Sequence, residues 1–137
     1  MKLINLILLC LALAVPVSSA DTDMDLSSWY NGYNHQYFNN ELPEAGTLSP
    51  PDVIIDFHLK DPHKMGVTIF GEADGYIRMS FNPDYIKSEK TLRLTLLHEQ
   101  CHIELFVEDV HTLDDHGPEW QACMLRLAEK GAFHDLW

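Results

Sequence analysis

Two histidines stand four residues apart in "TLLHEQCHIELF" (95–106), His98 and His102, with Glu99 beside the first and an apolar run on either side. On a helix, residues i and i+4 project from one face, so both imidazoles can reach a single metal ion. Glu99, next to the first ligand, stands where a carboxylate can act as general base toward water. A core helix tolerates such a trio only if something satisfies it, because buried polar groups without partners are costly. A cation does so. The H-E-x-x-H spacing therefore points to metal-assisted hydrolysis, with zinc the expected ion.

A catalytic zinc takes three protein ligands and keeps one position open. The pattern that places a glycine and a third histidine shortly after the pair fails here, since Leu105 and Glu108 occupy those positions. Spacing leaves three candidates. His116 stands at the turn before Pro118, His111 is nearer in sequence, and Glu119 would bring a carboxylate from the next helix.

The elements that must position these groups follow from periodicity. Asp25 to Asn40 carries Leu26, Trp29, Tyr30, Tyr33, Tyr37 and Phe38 at three- and four-residue steps, which predicts an aromatic-faced helix. A connecting loop follows, with three prolines and a glycine from Leu42 to Pro51. Three strands are expected over 52–59, 65–70 and 76–81, the last two joined by a glycine-flanked hairpin loop, "GEADG". Ser88 is a suitable N-cap for the helix carrying the histidines, and Glu108 to Gly117 reads as a polar loop. Pro118 then opens a final helix that closes at Gly131. The tyrosine stripe at 30, 33 and 37 is expected to be core packing. His35, His58, His63 and His134 lack ligand spacing and are expected at the surface or in strands. Asp114 and Asp115 could orient an imidazole or belong to a solvated loop.

"LLHEQCH" followed by "DDHGPEW" resembles the SprT-like metallopeptidase family, which includes Spartan. "YNHQYFNNELP" is similar to that family's aromatic N-terminal helix, and "GAFHDLW" to the tail of its small bacterial and phage members. The resemblance runs from about Trp29 to the C-terminus. It implies an α+β, zincin-like domain: an N-terminal helix, a three-stranded antiparallel sheet, the active-site helix and a C-terminal helix. It also implies zinc on His98, His102 and His116, with Glu99 as catalytic base in a zinc metalloendopeptidase acting on a protein or peptide substrate.

Composition bounds the setting. Residues 1–20 carry one lysine, an apolar run from Leu3 to Val15 and a Ser-Ser-Ala ending, the pattern of a cleavable secretory signal, too short to span a bilayer. Residues 21–137 are then expected as a single exported domain, periplasmic or secreted, with no membrane span and as a monomer. The chain's formal charge is −12 with 21 acidic residues, and losing Lys2 makes it more negative, so nucleic acid is not an expected partner. This charge, the expected export and the lack of a cysteine quartet set the chain apart from Spartan-type members that act on DNA-bound proteins. Cys101 and Cys123 could pair in an oxidising compartment or remain buried thiols. Two competing expectations stand beside the peptidase: an exported zinc-binding module without catalysis, and a zinc hydrolase acting on cell-wall peptides.

Overall fold

A computed structural model describes residues 25–136; the signal-like segment lies outside the described residues. The architecture is α+β, with three helices and one three-stranded sheet in the order α1 (Leu26–Phe38), β1 (Asp52–Asp56), β2 (Gly66–Phe70), β3 (Tyr76–Phe81), α2 (Glu89–Val107) and α3 (Pro118–Glu129).

Helix α1 starts where Asp25 accepts a hydrogen bond from the Ser28 backbone N–H at 3.1 Å. Its inner face is aromatic, as the periodicity predicts: Tyr30, Tyr37 and Phe38 are buried, and the Tyr30 hydroxyl donates to the Pro43 carbonyl. Two asparagines on the same helix hold the following loop by pairing with its backbone. Asn34 bonds both the N–H and the carbonyl of Leu42, and Asn31 does the same for Ala45. This loop therefore enters β1 at a fixed place.

The sheet departs from the antiparallel expectation. Its order is β1-β3-β2, with β2 antiparallel to β3 and β1 parallel to β3. The reason lies in how β1 ends. Asp56 accepts from the His58 N–H at 3.0 Å, a local turn that stops the strand at Asp56, short of Leu59. The segment 57–65 is thereby long enough to step across the end of β3 and start β2 on its far edge. Three bonds pin that crossing: Leu59 N–H to the Phe81 carbonyl, Asn82 N–H to the Met65 carbonyl, and the Asn82 side chain to the Asp61 carbonyl. The β2–β3 hairpin forms as expected, with Gly75 at φ +75° in its loop.

Helix α2 begins at Ser88, whose side chain accepts from the Thr91 N–H. It crosses the centre of the molecule and buries Leu92, Leu96, Leu97 and Ile103 completely. At about 1.5–3 kcal/mol for each fully buried aliphatic side chain, this face anchors the helix in the core. The helix ends in a Schellman motif: Val110 N–H bonds the Leu105 carbonyl, Asp109 N–H bonds the Phe106 carbonyl, and Asp109 takes φ +57°. Helix α3 opens with Pro118 in its first turn and closes at Gly131, φ +79°. A disulfide joins Cys101 on α2 to Cys123 on α3, with Cα atoms 5.9 Å apart. Arg126 adds an ion pair to Glu104 across the same two helices.

Candidate metal centre

The α2 face that leaves the apolar core carries His98 and His102 one turn apart, as the spacing requires. Beyond the Schellman turn, the loop 108–117 folds back over this face and delivers His116. Its Nε2 lies 3.0 Å from that of His98 and 3.2 Å from that of His102. Among the described residues these three form the one cluster able to hold a metal ion, each offering a ligand atom.

Chemistry of the donor set fits such an ion. Imidazole nitrogens bound at about 2.0–2.1 Å around a tetrahedral centre sit roughly 3.3 Å from one another, close to the observed spacing. Three Nε2 atoms facing each other cannot all be satisfied by shared protons, since each neutral ring has one N–H to offer. Protonation is no remedy. Burial, together with the neighbouring His102 and His116, pushes His98 down to about 4, and burial with His116 lowers His102. His98 and His102 are thus biased toward the neutral form, with lone pairs that a cation can use.

The loop that presents His116 is polar but tied down. Asp114 accepts from the His116 backbone N–H at 3.0 Å, Thr112 bonds the Asp114 carbonyl, and Gln121 donates to the His116 carbonyl. The aspartate thus braces the backbone of this residue. Asp115 lines the cleft beside the rings and opposes the lowering of the His102 pKa. Trp120, on the first turn of α3, packs against all three imidazoles, with centroid distances of 4.6, 5.9 and 4.5 Å to His98, His102 and His116. Its indole N–H also donates to the His98 carbonyl at 3.3 Å.

Glu99, next to His98 in sequence, reaches toward β2 and is 4% exposed. Its Oε2 accepts from the Thr68 hydroxyl on β2 at 2.6 Å. Burial raises its pKa, while Thr68 and Lys64 pull it down. The histidines and Glu99 share a cleft of about 820 Å³ between β2 and the 108–117 loop, walled by Phe70 and Phe106, whose rings stack at 4.1 Å.

The sequence model of the SprT-like family matches residues 26–134. The chain belongs to the SprT-like family. That family is one of metallopeptidase-like proteins, and the histidine cluster lies wholly within the matched span.

Within this SprT-like domain the other sequence candidates fall outside the cluster. His111 is exposed and pairs with Asp109 at 3.0 Å; it lines the cleft without joining the three rings. Glu119 is exposed at the start of α3. His35, His58 and His134 are exposed and paired locally with Asn40, Asp56 and the Gly131 carbonyl. His63 is exposed at the cleft rim. The tyrosine stripe packs in and against the core, away from the cleft. Two residues escaped the sequence reading, Thr68 and Trp120. The tryptophan stands in the very "HGPEW" segment that carries the family resemblance, a signal that was available. Nothing local marks Thr68, one threonine in a strand 31 residues from its partner.

Proposed function

We propose that this protein is an exported zinc-dependent endopeptidase of zincin-like fold, with zinc held by His98, His102 and His116 and with Glu99 as general base. The observation that carries the reading is the meeting of three imidazole nitrogens with a buried carboxylate in one cleft. A bound zinc supplies Lewis acidity, lowering the pKa of water and polarising a carbonyl. Glu99 takes the proton from water as the new C–O bond forms and passes it to the departing amine nitrogen. Low exposure of this carboxylate favours that task, because burial makes it a stronger proton acceptor than a solvated glutamate.

Substrate in this reading is a protein or peptide segment in extended form. Strand β2 lies at the sheet edge and walls the cleft, so its outer edge is open to pairing with such a segment. Among the described residues no helix is long and apolar enough to cross a membrane. The Cys101–Cys123 disulfide supports export, since such bonds persist in oxidising compartments. We take the working unit as a monomer.

Metal content and casein cleavage, measured on the chain and on Glu99→Gln, test the assignment. One zinc in each form, with cleavage lost at least about 10²-fold in the variant, is the expected result. Full cleavage by a zinc-loaded Glu99→Gln chain would overturn the role of Glu99. One zinc with no cleavage by either form would favour the metal-binding module or a hydrolase of cell-wall peptides.

A further inference from the structure

We propose that Thr68 is the positioning residue of the reaction, holding the Glu99 carboxylate so that a single oxygen faces the cleft; this rests on Glu99 being the general base. Residues 66, 68 and 70 alternate onto the face of β2 that meets α2. Thr68 occupies the middle of that face, and its hydroxyl donates to Glu99 Oε2 at 2.6 Å. Oε1 accepts no hydrogen bond among the described residues and is the oxygen left to take a proton.

The contact is prepared on both sides. Threonine is branched at Cβ and stiff about χ1, so its hydroxyl is aimed with little freedom to lose. Gly66, two residues earlier, leaves room for the carboxylate: a Cβ there would lie 3.1 Å from Glu99 Oε1 and 2.9 Å from Thr95 Cγ2. Strand and helix are thus in close register where the glutamate side chain lies. A glutamate has three rotatable bonds between backbone and carboxylate, and its helix fixes none of the outer ones. Pairing with Thr68 supplies that constraint from a separate element.

General-base catalysis depends on placing the acceptor oxygen within hydrogen-bond reach of the proton it takes, and a displacement near 1 Å can cost about 10²-fold. Thr68→Val keeps the shape of the side chain and removes the donor; Thr68→Ser keeps the donor. Both full-length variants would be compared with the parent chain for zinc content, melting temperature, kcat and KM on a casein-derived peptide, and by crystal structures of the zinc-loaded forms. Thr68→Val is expected to lose about 10- to 100-fold in kcat, with KM and zinc content unchanged, a melting temperature lowered by roughly 5 °C for the lost hydrogen bond, and the Glu99 carboxylate displaced or in several positions. Thr68→Ser is expected to restore most of the rate and the parent position of Glu99.

A Thr68→Val chain whose Glu99 stays in place overturns the inference, as does one that loses zinc along with its rate or one that serine fails to rescue. Should the parent chain cleave nothing, the peptidase reading fails by itself. The position of Glu99 in the valine variant would still decide whether Thr68 holds it.

Discussion

On one side of the cleft, His98 and His102 stand on successive turns of a nineteen-residue helix whose opposite face is sealed into the core. On the other, exposed His116 hangs from a polar loop and reaches its partners through a set of small, separate restraints. The first two nitrogens are aligned chiefly by helix geometry, with the Trp120 indole against their rings. The third depends on the Schellman turn, the aspartate brace, the indole and the disulfide acting together. A site built this way has a rigid half and an assembled half, and its affinity for metal should be most adjustable through the assembled one.

The contrast breaks or sharpens under substitution. Under the proposed zinc assignment, His102→Ala, which takes away a helix-borne imidazole, should abolish stoichiometric zinc, whereas His116→Ala should leave a weaker site on the helix pair; titration with zinc against a chelator of known affinity separates the two. Equal loss in both variants would mean that the loop is as essential as the helix. Next in size comes the disulfide. Replacing Cys101 and Cys123 by serine frees a loop closed across 22 residues of sequence, which should lower stability by about 3 kcal/mol in denaturant unfolding. Zinc affinity should fall with it, since the loop holding His116 lies inside the closed segment.

Trp120→Phe keeps an aromatic wall but deletes the bond to the His98 carbonyl, for an expected cost of about 1 kcal/mol. Zinc affinity should drop roughly 10-fold, the lower end of what supporting partners of metal ligands contribute. Asp114→Ala should be the mildest change. Loss of its bond to the His116 N–H should cost about 1 kcal/mol or less, with a few-fold decrease in zinc affinity at unchanged kcat for the loaded form. A larger effect from Asp114 than from Trp120 would reverse the ranking of the two restraints.

The same division explains what could be read in advance. Local periodicity and caps expose the helices: Ser88, Pro118 and Gly131 mark α2 and α3 where the structure has them. The i, i+4 pair is visible for the same reason. Strand partnership is nonlocal, and the expected antiparallel sheet gives way to a mixed one only once Asp56 is known to stop β1 and release the crossing segment. Spacing alone left His116, His111 and Glu119 open. The fold separates them through the turn after α2, whose αL residue is an aspartate where the usual signal would be a glycine. The Cys101–Cys123 pair likewise depends on how α2 lies on α3, which composition does not encode.

Trp120 also gives the site an optical character. Its indole touches every ring of the histidine cluster, while Trp29 sits apart on α1 beside Tyr33. Emission from Trp120 should therefore change as a cation enters among the imidazoles, and a paramagnetic substitute such as cobalt should quench it strongly. The protein carries its own reporter of occupancy, readable without label or substrate.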